Sequence, residues 1–389
     1  MIKITDKSQC CGCTACASIC PNDAILMKPD ALGFLYPVVD SDKCTDCGLC
    51  EKVCAFHANY DTSNNLPVPE VYAARHKNMQ EVETSRSGAA FIAISDWILN
   101  QDGVVYGVGY TDHFRVVHKR ATTREERNEF KGSKYVQSDL GDIFRQVKQD
   151  LKDGRIVLFS GTPCQTAGLK SFISKTLQNN LFLVDIVCHG VPSPYIWRDY
   201  IKYLEKKYGD RIVKVNFRDK GEFGWSAHCE SFEFTRRKKL SRTTFTYLFY
   251  KHIMFRTSCG SCPFANTQRT GDITLADFWG WEKTNPHLNE DDKGISLLFI
   301  NTLKGKRIFE YIKQELYVYS VELENCMQPN MQHPSRLHSQ RNLFETDYVQ
   351  YGLGYILRRY GDAGWRYRIE KSMHKIETAK RLFLQKFVR

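Results

Sequence analysis

Residues 10–21 read CCGCTACASICP, and their spacing decides how the first part of the chain is read. Cys10, Cys13, Cys16 and Cys20 stand at C-x2-C-x2-C-x3-C, with Pro21 after the last. Residues 44–54, CTDCGLCEKVC, repeat the spacing with Cys44, Cys47, Cys50 and Cys54. Three cysteines in one tight loop can hold three irons of a cubane, while the fourth leaves on a short helix and serves the other cluster. The spacing therefore assigns Cys10, Cys13, Cys16 and Cys54 to one [4Fe–4S] cluster, and Cys44, Cys47, Cys50 and Cys20 to a second. Pro21 ends the helical turn and fixes the chain's exit; Ala55 stands at the matching place in the second copy. Between the copies, AILMKPDALGFLYPVVD (24–40) reads as two short strands joined by a turn. A 2[4Fe–4S] segment of the bacterial ferredoxin type is expected over residues 1–57. A zinc ribbon also uses C-x2-C pairs, but it needs two pairs rather than two quartets. Cys11 breaks the spacing and reads as a neighbour of the ligands.

The chain has 389 residues and 15 cysteines, enough for two or three compact units. Hydrophobic (42%) and charged (25%) contents are those of a soluble globular protein. No apolar run reaches about 18 residues, and the opening MIKITDKSQCC has no apolar signal core. A cytoplasmic, reducing location is expected, where clustered cysteines are metal ligands rather than disulfides. The formal charge of +11 counts every cysteine as a neutral thiol, and cluster loading would offset much of it. No nucleic-acid-binding module accompanies the charge, so a nucleic-acid partner is not expected.

Residues 58–70 are rich in Asn, Ser, Thr and Pro and read as a linker. Helical and strand periods then alternate. Helices are predicted over 88–100, 142–152 and 193–209, and strands over 103–110, 155–161, 181–190, 211–219, 230–237, 272–280 and 294–302. These make a mixed α/β body in two parts, 71–152 and 153–326, followed by a helical basic tail over 327–389. The whole is expected to be of the α+β class. No G-x-G-x-x-G turn follows a strand, which argues against a standard Rossmann dinucleotide site. In the tail, Ile369, Met373, Ile376, Phe383 and Phe387 fall near helical spacing among Lys and Arg. Such a helix docks on its own domain or on a partner more often than on an anionic membrane surface.

A second constellation lies in the body. Cys164 follows a buried strand in FSGTPCQTAGLK (159–170), Cys188 ends another in DIVCHGVPSP (185–194), and Cys259 and Cys262 form CGSC. Strand ends of an α/β sheet gather side chains into one crevice, so three segments can deliver four thiolates to one metal centre. Four thiolates also satisfy zinc. Cys229 and Cys326 read as core thiols.

Eight stretches together resemble a known family. They are TSRSGAAF (84–91), KGSKYVQSDLG (131–141), LFSGTPCQTAGLK (158–170), DIVCHGVPSP (185–194), FRDK with GW (217–225), RTSCGSCPFA (256–265), DITLADFWG (272–280) and KGISLLFINT (293–302). In these the chain resembles the family of coenzyme F420 hydrogenase/dehydrogenase beta subunits, from about residue 8 to about residue 315. The resemblance implies FAD in the body, with a third [4Fe–4S] cluster beside it on Cys164, Cys188, Cys259 and Cys262. It implies flavin-side loops at Ser85, Ser87 and Gly88 and at Gly132, Ser133, Lys134 and Tyr135, with Thr162, Pro163 and Gln165 flanking Cys164. The family often carries a longer Ser/Gly run where this chain has SRSGAA. Small residues before a helix expose N–H groups to a pyrophosphate, although the same pattern makes an ordinary helix cap. His189 either tunes the neighbouring cluster or packs. Asp277 reads as a turn residue, and no catalytic residue is assigned.

The implied function is an iron–sulfur flavoprotein oxidoreductase. It would exchange electrons between a hydride donor or acceptor, coenzyme F420 among them, and a redox partner protein or small molecule. The alternatives are a non-catalytic electron-transfer subunit and a reductase of another substrate, for example in polysaccharide biosynthesis.

Overall fold

The computed structural model describes residues 1–56 and 60–364. The segment between the two cysteine loops forms an antiparallel hairpin of β1 (Ile25–Pro29) and β2 (Leu35–Val39), as the sequence predicts. Short helices Ala15–Ile19 and Leu49–Lys52 follow the two loops.

The body is built on one eight-stranded sheet. Its strands are β3 (Asn65–His76), β4 (Val104–Tyr110), β5 (Val116–Ala121), β6 (Val157–Gly161), β7 (Leu181–Ile186), β11 (Ile273–Asp277), β12 (Ser296–Thr302) and β13 (Leu316–Ser320). The remaining strands, β8 (Ile212–Asn216), β9 (Glu230–Phe234) and β10 (Leu240–Arg242), make a separate antiparallel sheet. The large sheet runs β13-β3-β12-β11-β7-β6-β4-β5. Its centre, β11-β7-β6-β4, is parallel, and both flanks are antiparallel. Strands buried on both faces carry apolar residues throughout, which is why VLFSG and LFLVDI of the parallel centre and SLLFINT of the antiparallel flank read as near-continuous apolar runs.

Helices cover both faces. Ala90, Ala93, Ile94 and Ile98 of helix Ala90–Leu99 pack with Ile308, Phe309 and Ile312 of helix Leu303–Ile312 on one side. On the other, Ile143, Phe144, Val147 and Leu151 of helix Ile143–Lys152 join Leu169 and Phe172 of helix Pro163–Phe172. A further aromatic core forms between helix Pro194–Tyr208, the small sheet and helix Arg341–Arg359.

The N-terminal segment is packed into these cores. Ala15 and Val53 belong to the core under helices Ile143–Lys152 and Pro163–Phe172. Leu32 and Phe34, at the hairpin turn and both fully buried, enter the aromatic core. The Leu32 carbonyl accepts from Ser193 Oγ (2.5 Å) and Tyr195 N (3.2 Å).

One expectation changes. Residues 65–70, read from composition as linker, are the first half of β3. Pro67 and Pro69 cannot donate to a ladder, and they fall where the β3–β12 register shifts, between the pairs Thr302↔Asn65 and Ile300↔Glu70. The tail is anchored: Phe344, Ile356 and Leu357 of helix Arg341–Arg359, which breaks at Gly352 (φ 71°), lie in the aromatic core. Ile369, Met373, Ile376, Phe383 and Phe387 lie outside the described residues. Among the described residues no helix is long and apolar enough to cross a membrane.

Candidate metal and cofactor site

The two N-terminal cysteine loops face different ways. Cys16 has Cys13, Cys10 and Cys54 as its charged neighbours, and burial among them pushes its thiol well up. These are the four residues that the crossed spacing groups together. The first loop faces the body: a β-carbon on Gly168 of helix Pro163–Phe172 would stand 2.7 Å from Cys13 Sγ. The second loop faces outward, with Cys47 exposed and Cys44 half-buried. Several sulfurs already accept backbone N–H groups: Cys50 from Ile2 (3.3 Å), Cys20 from Ala24 (3.4 Å) and Cys44 from Asp46 (3.4 Å). Such donors stabilise ligated thiolates and tune a cluster held by them.

Arg256 ties the first loop to the body. It is fully buried and donates from Nε to the Cys10 carbonyl (2.7 Å), from Nη2 to the Leu35 carbonyl (2.9 Å) and from Nη1 to Gln137 Oε1 (3.0 Å). Its guanidinium carbon lies 4.2 Å from the Tyr36 ring centre. Gln137 in turn donates to the Cys11 carbonyl (2.9 Å).

The structure brings the body cysteines together. Cys164, Cys188, Cys259 and Cys262 line one cavity, with Cys11 and Arg256 on its wall. Cys164 begins helix Pro163–Phe172, with Thr162 Oγ1 at 3.2 Å from its sulfur. A helix N-terminus favours a thiolate, and hydrogen bonding by Cys11 holds the Cys164 pKa down to about 7 against burial. Burial pushes the Cys188 thiol well up, Cys259 to about 11 and Cys262 to about 12. Buried thiols with raised pKa values and one shared cavity fit a bound metal centre, whose positive charge lets them ionise. Among the described residues no three His, Cys, Asp or Glu side chains converge on a single-ion position.

A buried ion pair sets this constellation. Asp185, on β7 before Cys188, faces Arg269, after Cys262, at 3.2 Å. Asp185 also accepts from Thr270 Oγ1 (2.9 Å), and Arg269 donates to the carbonyls of Ile186 (2.9 Å) and Phe264 (3.2 Å). The CGSC segment is thus fastened to the end of the strand that presents Cys188.

A larger cavity of about 380 Å³ opens at the carboxyl ends of β4, β6, β7 and β11. This is where open α/β sheets bind ligands. Ser85, Ser87, Gly132, Ser133, Lys134, Tyr135, Thr162 and Gln165 all line it. Two expected members do not. Gly88 packs against β3 and β12, where a β-carbon would stand 2.3 Å from the Ala74 carbonyl oxygen. Pro163 sits on the wall of the cysteine cavity. Ser85 Oγ is buried and has no partner among the described residues, which leaves a donor for a bound group. Ser87 Oγ donates to the Ile295 carbonyl (2.6 Å), and Lys134 Nζ donates to the carbonyls of Glu129 (2.7 Å) and Lys131 (3.0 Å). Lys220, nearly buried, donates to the carbonyls of Val82, Ser87 and Lys293 and pins the Ser85–Gly88 loop.

Sequence reading missed the far wall. Arg218 pairs with Asp277 and donates to Tyr135 OH (3.3 Å), while Trp225 Nε1 donates to Asp277 (3.3 Å). Trp279 stacks on Trp225 at 4.3 Å. Asp277 is therefore the counter-ion of a buried arginine, not merely a turn residue. Cys188, His189, Gly190 and Val191 line both cavities, so one short segment separates them. His189 packs on Phe249 and stands 2.7 Å from His252, Nε2 to Nε2.

Comparison with known proteins follows this division. Residues 154–325 match the family described as the C terminus of the coenzyme F420 hydrogenase/dehydrogenase beta subunit, and residues 9–58 match the 4Fe-4S dicluster domain. Residues 154–325 thus resemble the C-terminal part of these beta subunits, and residues 9–58 resemble a 4Fe-4S dicluster domain. The F subunit of the F(420)H(2) dehydrogenase of Methanosarcina mazei is 22% identical over 226 residues, 56% of this chain and 62% of that protein. The chain thus spans about three fifths of that relative's length. The methylamine utilization ferredoxin-type protein MauM of Methylobacillus flagellatus is 49% identical over 48 residues, 11% of this chain and 20% of that protein. A chain of the F420-reducing [NiFe] hydrogenase complex from Methanosarcina barkeri superposes with a TM-score of 0.45 at 16% identity, covering 75% of this chain and 92% of that one. The beta-subunit region holds the body cysteines and most of the larger cavity's strand ends; the dicluster region holds all eight repeat cysteines.

Proposed function

We propose that the protein is an iron–sulfur flavoprotein oxidoreductase. The observation that carries the reading is the shared wall: the four-cysteine cavity and the strand-end cavity meet across Cys188–Val191. Cys164, Cys188, Cys259 and Cys262 would hold a third [4Fe–4S] cluster. Four cysteines on the wall of one cavity would suit a cubane held by four thiolates. Ser85, Ser87, Gly132, Ser133, Lys134, Tyr135, Thr162 and Gln165 would hold FAD, with the Ser85 hydroxyl supplying one contact. The bound groups supply two-electron hydride exchange at the flavin and single-electron carriage at the clusters.

The chain's own residues supply position. Lys220 fixes the serine loop, and Arg218 with Asp277 stiffens the opposite wall. Asp185 and Arg269 hold Cys188 and Cys262 in register, and Arg256 and Gln137 hold the first cysteine loop against the body. The exposed Cys47 marks the outer end, where a redox partner would dock. A relative that belongs to an F(420)H(2) dehydrogenase makes coenzyme F420 the first hydride partner to test.

The full chain, purified anaerobically, should contain roughly twelve irons, an equal amount of acid-labile sulfide, and FAD that bleaches on adding reduced F420 or NAD(P)H. Full cluster content without bound flavin would instead make the chain an electron-transfer subunit serving another enzyme.

A further inference from the structure

The far wall of the strand-end cavity carries more positive charge than it cancels. Arg86 and Arg218 both line the cavity, and their side chains are only 10% and 3% exposed. Among the described residues, Asp277 is the one carboxylate within 4.0 Å of either guanidinium, and the one carboxylate on the cavity wall. Two buried cations thus share one anion. Arg86 donates to the carbonyls of Arg218 (3.2 Å) and Trp225, and Arg218 to Tyr135 OH (3.3 Å) and the Trp225 carbonyl (3.0 Å). The Nε atom of each is buried with no hydrogen-bond partner among the described residues. The other cations on the wall are spent: Lys131 faces Glu81 at 2.6 Å, and Lys134 donates to two backbone carbonyls. A buried charge without a counter-ion is costly, so an anion that reaches this wall is attracted strongly in a site of low dielectric.

Aromatic faces stand beside this charge. Tyr250 and Trp279 line the same cavity, and both remain exposed. Trp279 is braced by the fully buried Trp225 at 4.3 Å, and the Arg218 guanidinium lies 5.2 Å from its ring centre. His228 stands 5.7 Å from Trp279, ring centre to ring centre, and is hydrogen-bonded to Tyr250 OH. Rings held in place with faces open to a cavity are suited to a planar group.

We propose that this far wall is the recognition subsite for the hydride partner, and that the partner is a planar molecule bearing a carboxylate or phosphate. The proposal rests on the reading of the larger cavity as a flavin site. The partner's ring lies against Tyr250 and Trp279, and its acid group faces the excess positive charge of Arg86 and Arg218. Asp277 holds Arg218 in place and tempers that charge, so that the anion can also leave. A neutral ring of the same shape gains the stacking alone and binds more weakly.

The test uses the full chain, purified anaerobically, as wild type, Arg86→Met, Arg86→Lys and Asp277→Asn. Flavin per chain is measured, and calorimetric titration compares benzoate, a planar acid, with benzamide, its neutral counterpart. The wild type is expected to bind benzoate at least about tenfold more tightly than benzamide, equivalent to about 1.4 kcal/mol. Arg86→Met raises the benzoate Kd by at least about tenfold, and Arg86→Lys, which keeps the charge, recovers part of the loss. Asp277→Asn, which removes the opposing charge, lowers it. Flavin content stays at the wild-type level in all. Damage to the fold cannot move the constant in both directions. Equal binding of the two probes, no binding of benzoate, or an unchanged Kd in Arg86→Met would overturn the proposal. Loss of flavin from Arg86→Met would assign the charge to the cofactor's own pyrophosphate and overturn it too. A wild type without flavin would refute the flavin reading separately; preference for benzoate, lost in Arg86→Met, would then still support the wall as an anion subsite.

Discussion

Arg256 offers the sharpest test of how the N-terminal segment is joined to the body. Replacing it with Met keeps the length and removes the guanidinium. Three buried acceptors then lose their donor: the Cys10 and Leu35 carbonyls and Gln137 Oε1. An unsatisfied buried acceptor costs about 1–3 kcal/mol. At the lower edge for each, the Arg256→Met junction weakens by about 3 kcal/mol, roughly a hundredfold in local opening at 1.4 kcal/mol per decade. Arg256→Lys should fall between, because one ammonium cannot reproduce the planar fork that reaches two carbonyls. Native-state hydrogen exchange reads this directly. Amides of residues 10–20 should exchange about a hundredfold faster in Arg256→Met, while those of β6 and β7 keep the wild-type rate. Acceleration below tenfold in residues 10–20, or equal acceleration in the central strands, would refute the view that Arg256 specifically clamps this segment.

Three further outcomes follow from the same contacts. Gly168→Ala places a methyl 2.7 Å from Cys13 Sγ and should lower iron retention at the first cluster, read as iron per chain after anaerobic gel filtration. Cys164→Ser and Cys262→Ser should each lower the iron content from roughly twelve to roughly eight per chain, leaving the repeat clusters' spectra in place. Lys220 is held down to about 7 by burial, with Arg86 and Arg75 adding to the effect, against its ordinary 10.5. The folded state then binds fewer protons than the unfolded state between those values. Its contribution makes stability rise from pH 7 to 10.5, and below pH 7 the full cost of burying the charged amine is present. Thermal melts of Lys220→Met across that range should lack this part of the slope, and flavin binding should weaken as the Ser85–Gly88 loop loses its anchor.

The parts legible in the sequence are those whose signal is local. The repeat cysteines could be assigned because ligand geometry is written in their spacing, and β6, β7 and β12 because a strand buried on both faces is apolar throughout. β3 was hidden by Pro67 and Pro69, whose missing donors are tolerated only at a register shift that a distant partner creates. The resemblance placed Gly88 and Pro163 among the cofactor contacts, yet neither lines the strand-end cavity: Gly88 packs on β3 and β12, and Pro163 lies on the wall of the cysteine cavity. Arg218, Arg256, Asp185 with Arg269, and Lys220 carry no local signature. Each is a buried charge whose partner lies tens to hundreds of positions away, so its role exists only once the chain has folded.

The central claim is that three sets of four cysteines cradle three iron–sulfur clusters in one rigidly joined chain, with the innermost against the strand-end cavity. Anomalous diffraction at the iron edge from anaerobically grown crystals tests it most directly. The account predicts three iron centres per chain: within Cys10, Cys13, Cys16 and Cys54; within Cys44, Cys47, Cys50 and Cys20; and within Cys164, Cys188, Cys259 and Cys262. Two centres, with the body cysteines empty or holding a single zinc, would contradict it.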